Sequence, residues 1–135
     1  MWSWKRPDNL GLREGRLAPC KRTPNCVSSQ ADSADRGHYI EPIGFSGPPE
    51  AAMAALQQVV TTAPGARVVH ATRDYLYAEF RSRVMRFVDD VEFALDAARG
   101  VFHVRSASRV GIRDFGVNRA RIEALRGALA AALRR

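Results

Sequence analysis

The chain is poor in the residues that usually announce a chemistry. Among its 135 residues are two cysteines and three histidines. Two cysteines cannot make a four-ligand zinc site alone, and His38, His70 and His103 show no paired ligand spacing, so no metal site is expected. Cys20 and Cys26 are too far apart for a C-x-x-C redox motif. No stretch approaches the roughly 18 consecutive apolar residues of a membrane span. The N-terminus, MWSWKRPDN, has early cations but no apolar core, so it does not read as a secretory signal. There is no internal repeat, and no low-complexity tract beyond alanine-rich helical segments. The G-x-x-x-x-G-K-[ST] phosphate loop is missing as well.

What is present is an ordinary globular composition, 46% hydrophobic and 26% charged, with a net charge of +7. That fits one domain with one core. The charge is uneven: from Ala97 onward nine arginines face only Asp114 and Glu123, whereas residues 37–96 are net acidic. A basic terminal half attracts nucleic acid, acidic lipid or anionic metabolites; it also simply keeps a helix soluble. The outer face of the last helix (Arg119, Arg126, Arg134, Arg135) has the charge to track phosphates. No helix-turn-helix or RNP-like motif accompanies it, so the nucleic-acid signal is weak. No cofactor is implied.

Residues 1–48 lack periodicity and hold Pro7, Pro19, Pro24, Pro42 and Pro48, which reads as a flexible arm over 1–16 and a single domain over 17–135. Residues 39–43 fit a short edge strand, because proline cannot donate to a ladder. Pro48-Pro49-Glu50 opens a helix, whose stripe is Met53, Leu56, Val59 and Val60 and whose stop is Pro64-Gly65. Four strands are expected next, over 66–72, 75–82, 87–95 and 101–106. Their period-2 alternation marks half-buried antiparallel strands. Leu76, Ala78, Phe80, Phe87, Val91, Phe93, Leu95, Phe102 and Val104 face one way. Tyr75, Tyr77, Glu79, Arg81, Arg83, Asp90, Glu92, His103 and Arg105 face the other. A final helix from Val117 buries Ile122, Leu125, Leu129 and Leu133. The fold class is therefore α+β, an antiparallel sheet of about four or five strands with two helices on one face.

The polar sheet face has two readings. One is a solvated, salt-bridged surface; the other is a polar cleft closed by the N-terminal arm. Asp89 breaks the alternation by falling in phase with Phe87 and Val91. It needs a partner, for which Arg86 or Arg109 is available, or a bulge at Asp89-Asp90. Asp89, Asp90 and Glu92 have the charge for a hard cation, but alternate strand residues diverge.

Three segments read together: LAPCKRTPNCVSSQA (residues 17–31), FRSRVMRFVDDVEFALD (80–96) and VRSASRVGIRDFGVNRARIEALR (104–126). Their conjunction resembles the bacterial and plant family known as domain of unknown function 1499. The resemblance implies a single compact domain and no established activity. Members often carry an export or anchoring segment, which this sequence lacks.

The strongest local candidate for a site is the Arg/Ser-rich run before the last helix. Arg105, Ser106, Ser108 and Arg109, with Arg81, Asn118 and Arg119, would hold a small anion near a helix N-terminus. In the competing reading the arginines pair with a structural network of Asp89, Asp90, Glu92 and Asp114. The expectation is a non-enzymatic binding module for a small anionic ligand. A structural or protein-interaction domain is the alternative, and a hydrolase or thiol enzyme using Cys26 or a carboxylate is the third reading. No catalytic residue is assigned. A Cys20–Cys26 disulfide is sterically reasonable but requires an oxidising compartment. Without an export signal, free thiols in the cytoplasm are expected.

Overall fold

The computed structural model describes residues 5–82 and 87–134. The strands are β1 (Cys26–Ser28), β2 (Ile43–Gly44), β3 (Ala66–Ala71), β4 (Tyr75–Arg81), β5 (Val88–Asp96) and β6 (Val101–Ser108). The helices are α1 (Pro49–Thr62) and α2 (Val117–Leu133). All strand pairs are antiparallel, in the order β1-β6-β5-β4-β3, and β2 pairs with β6 beside β1. The architecture is α+β as expected, with six strands rather than four or five. The additional pairing comes from the proline-rich N-terminal third. Cys26–Ser28 lies against Ala107–Arg105, and Ile43–Gly44 lies against Phe102–Val101. The edge pairing expected over 39–43 starts only at Ile43, after Pro42, which has no N–H to give. Tyr39 makes one isolated parallel bridge to Ser28.

Alternation along β4, β5 and β6 sends Leu76, Ala78, Phe80, Val91, Phe93, Phe102 and Val104 to one face, where the helices cover them. Ala52, Met53, Leu56 and Val60 of α1, and Ile122, Leu125 and Leu129 of α2, complete this core. Each fully buried Leu, Ile or Phe contributes on the order of 1.5–3 kcal/mol. Phe87, expected on this face, lies before β5 and is 42% exposed. At the end of α1, Gly65 takes a left-handed φ of 77° and packs against the Arg81 carbonyl, 2.5 Å from where a Cβ would stand, so only glycine fits.

The opposite face is not solvated. Leu17 with Tyr75, Tyr77 and Ala94 forms a second apolar cluster, against which Leu10, Leu12 and Val69 pack. Val69 reaches it because β3 shifts register between Val68 and His70. The arm reverses at Glu14-Gly15, both at positive φ, and closes with paired backbone bonds between Arg13 and Arg16; this is the two-residue turn that suits an antiparallel ribbon. The sheet is thus sandwiched between two helices and the arm. No helix among the described residues is long and apolar enough to cross a membrane.

The expectation of free thiols is overturned: Cys20 and Cys26 are bonded, with Cα atoms 5.7 Å apart. The Pro24 loop brings the start of β1 back onto Cys20, within the separation a disulfide spans. Closing so short a loop restricts the unfolded chain by roughly 2 kcal/mol in the chain-entropy model. The native protein is therefore expected to show no titratable thiol with Ellman's reagent. A Cys20→Ser/Cys26→Ser variant should unfold in urea with about 2 kcal/mol less stability.

Candidate functional site

The arm-side face of the sheet carries the densest polar chemistry in the molecule. Strand register sets it. Tyr77 lies opposite Glu92, and Glu92 opposite Arg105. One row further along, Glu79 lies directly opposite Asp90. Two like charges facing each other across strands repel. Arg109, just past β6 on the same face, resolves the conflict. Its guanidinium is 2.9 Å from both Asp90 oxygens and 2.5 Å from Glu79 Oε2, and it also donates to Tyr77 Oη at 3.3 Å. Arg6 of the arm donates two further bonds to Glu79 Oε2, at 3.0 and 2.7 Å. Its guanidinium lies 5.7 Å from the Tyr77 ring centre. Tyr77 donates to Asp90 and Tyr75 to Glu92, each at 2.5 Å. The Gly11 amide donates to Glu92 at 2.7 Å.

Burial and pairing compete within this cluster. Burial alone would push Glu79 up, but the hydrogen bonds from Arg6 and Arg109 outweigh it and hold its carboxyl below the ordinary value. Glu92 is fully buried, and burial prevails: its pKa is raised despite the bonds from Tyr75 and Gly11. Its partner Arg105 stands 3.6 Å away. Burial and the neighbouring carboxylates push both tyrosines far up, so they act as neutral donors. Arg109 is raised because its carboxylate bonds overcome its burial.

A separate network occupies the helix side. Asp89 pairs with Arg121 of α2 at 2.8 Å, not with Arg109; Arg86 lies outside the described residues. The β4–β5 register runs unbroken through Asp89 and Asp90, so no bulge forms there. Arg121 also lies 4.8 Å from the Phe80 ring centre and donates to Ser106 and Asn118. Fully buried Asn118 accepts from Ser106 at 2.6 Å and donates to Ser108 and Asp114. Asp114 in turn accepts the Gly116 and Asn118 amides. The start of α2 therefore already has its anion. Burial would raise Asp114, and these bonds more than compensate, leaving its pKa below the ordinary value.

Of the anion-site residues expected from sequence, Arg105, Ser108 and Arg109 line one small cavity and the other four lie apart from it. Ser106 and Asn118 bond to each other on the helix side. Arg81 is exposed at the end of β4, and Arg119 donates to the Arg36 and Gly37 carbonyls. Arg126, assigned to a phosphate-tracking face, donates to the Glu41 and Pro42 carbonyls. Arg83 and Arg135 lie outside the described residues. The face read as a solvated surface is buried over Tyr75, Tyr77, Glu79, Asp90, Glu92 and Arg105. Sequence reasoning missed Arg6 and Arg121. Arg121 was findable, since it stands three residues after Asn118 and four before Leu125 and so borders the buried stripe. Cys26 is buried and disulfide-bonded, which removes the thiolate that a cysteine nucleophile requires. Among the described residues no group of His, Cys, Asp and Glu is arranged to hold a metal ion.

A cavity of about 50 Å³ lies beneath the arm, lined by Asn9, Lys21, Asn25, Asp90, Arg105 and Arg109, among others. Arg105 Nε and Asn9 Oδ1 are buried with no hydrogen-bond partner among the described residues. The space suits a water or a very small anion, not a nucleotide. Nearby, His38 joins the disulfide loop to the following turn. Its Nε2 faces the Thr23 carbonyl at 2.9 Å and its Nδ1 faces Asp35 at 2.8 Å. Only the imidazolium donates at both nitrogens, so the Thr23 carbonyl first, and Asp35 second, raise its pKa. The folded value exceeds the unfolded one. The stabilisation is therefore complete below the unfolded pKa of about 6.5 and is lost as pH rises through the folded value. NMR titration should place His38 above the ordinary histidine range, and Asp35→Asn should lower it. The stability advantage of wild type over His38→Gln should shrink as pH rises through that pKa.

No curated protein matches the chain. Residues 16–129, running from the end of the arm through β1–β6 to most of α2, match the family described as protein of unknown function (DUF1499). This stretch includes every residue of the two networks except Arg6 and Gly11, and the chain belongs to that family.

Proposed function

We propose that this domain is a non-enzymatic interaction module, and that its buried Arg–carboxylate network serves the fold rather than a substrate. The observation that carries this reading is the matching of charge on the arm side. Arg6, Arg105 and Arg109 stand against Glu79, Asp90 and Glu92. A site built to take an anion keeps an uncompensated cation for it; here each arginine already has a carboxylate. The occupied N-terminus of α2 argues in the same direction. The Cys20–Cys26 bond supports an oxidising compartment over the cytoplasm.

A second reading rests on Arg105. Its unpartnered Nε and the loose 3.6 Å pairing with Glu92, beside a cavity that Lys21 also lines, favour a small monovalent anion there. One experiment separates the two: a thermal-shift screen against chloride, formate, phosphate, sulfate and nucleotides, with Arg109→Ala alongside. The scaffold reading expects no anion to stabilise the protein specifically. It expects Arg109→Ala to lose about 3–5 kcal/mol, because two facing carboxylates are left buried without their shared cation. A saturable shift from one small anion, abolished in an equally folded Arg105→Ala, supports the second reading instead. At about 100 times its Kd such an anion adds roughly 2.7 kcal/mol.

A further inference from the structure

The loop between β6 and α2 inverts the usual placement of side chains. Ile112, Phe115 and Val117 are 64, 91 and 48% exposed. Three large apolar side chains within six residues form a patch of the kind that marks an interaction site. Phe115 also adopts a left-handed φ of 53°, an unfavourable backbone conformation for a bulky residue. Burial gives it nothing in return. Glycine would take the same backbone without strain, so the aromatic ring is not there for stability.

The charges around the patch are cationic. Arg113 is exposed within the loop, and Arg113, Phe115 and Arg119 line one cleft with Pro24 and Gly37. The loop's single carboxylate, Asp114, is engaged with the amides of Gly116 and Asn118 and the Asn118 side chain. A second copy of the chain would bring the same cations to the contact and be repelled. An anionic bilayer is complementary on both counts. Its acyl boundary accepts a protruding aromatic and aliphatic tip, and its phosphates accept guanidinium forks. Phe115 stands at the cleft yet is 91% exposed, and Ile112 and Val117 do not line it; side chains held so far into solvent favour a medium that closes around them over an acidic protein with a fixed surface. We propose that residues 111–117 dock this domain peripherally on anionic lipid bilayers. This names the partner of the interaction module proposed above and rests on that reading.

The test is co-sedimentation with vesicles of phosphatidylcholine alone and of phosphatidylcholine with about a third phosphatidylglycerol, at roughly 0.15 M salt so that diffuse attraction is screened. Wild type should sediment with the mixed vesicles and not with the neutral ones. Phe115→Gly should melt at or above the wild-type temperature yet bind at least about fivefold more weakly, through loss of the inserted ring. Arg113→Ala should weaken binding about two- to fivefold, as expected for one cation near a charged surface. Unchanged binding by Phe115→Gly overturns the proposal, since net charge would then suffice. So does absence of vesicle binding by wild type, or capture by polyglutamate in its place, which would assign the loop to an acidic protein. None of these outcomes changes the melting of Arg109→Ala, which tests the underlying reading separately.

Discussion

Everything on the arm side of this sheet follows from one electrostatic conflict, the placement of Glu79 directly opposite Asp90 on adjacent strands. Left alone, the two carboxylates would repel in an environment almost without water. Arg109 bridges them, and Arg6 adds a second cation to Glu79. Burying such groups is costly unless each is paired and hydrogen-bonded. Tyr77 supplies a further donor to Asp90, while Tyr75 and the Gly11 amide serve Glu92. The arm is thus required by the network as much as held by it. Removing it would expose the apolar parts of Tyr75 and Tyr77 and leave Glu79 and Glu92 short of donors.

The two sides of the sheet solve the same problem differently. On the helix side one carboxylate, Asp89, is buried near Ser106, Ser108 and Asn118 at the margin of the apolar core, and a single arginine from α2 reaches it. Burial raises the pKa of Asp89 while Arg121 opposes the rise. That contact, with Asn118 bonding to β6, Asp114 and the Asn25 carbonyl, fixes where α2 starts and leaves the preceding loop to project outward. The rigid network and the exposed Phe115 loop are therefore neighbours in the chain with opposite roles. One consumes its charges internally; the other leaves arginine and apolar surface outward.

The long elements were legible because their physics is local. Alternation in β4, β5 and β6 reports two distinct faces, and the spacing of Leu56 with Val60, or Leu125 with Leu129, reports a helix with one buried side. β1 was hidden because three residues carry no period, and β2 was expected a few residues early, over 39–43. The docking of the arm was only one of two readings, because it depends on contacts such as Arg6 with Glu79 and Gly11 with Glu92, which bring together residues more than seventy positions apart. Asp89 was recognisable as out of phase, but its partner was not, since Arg121 is chosen by how α2 packs. The run before α2 is divided for a reason already present in the alternation: Arg105 and Ser106 are adjacent in sequence, so they cannot share a face of a strand, and only Arg105, Ser108 and Arg109 of the expected residues reach one cavity. The disulfide was sterically reasonable in the Cys20–Cys26 spacing, but spacing alone does not report the redox state of the thiols.

A double-mutant cycle on Arg109→Met and Asp90→Ala, read by urea unfolding of the two single variants and the pair, tests the central claim most directly. If the network is the scaffold, the two positions are coupled by about 2 kcal/mol or more, and the double variant is less destabilised than the singles added together. A coupling energy below about 0.5 kcal/mol, the level of an exposed ion pair, would contradict the account and return Arg109 to the role of a cation held ready for a ligand.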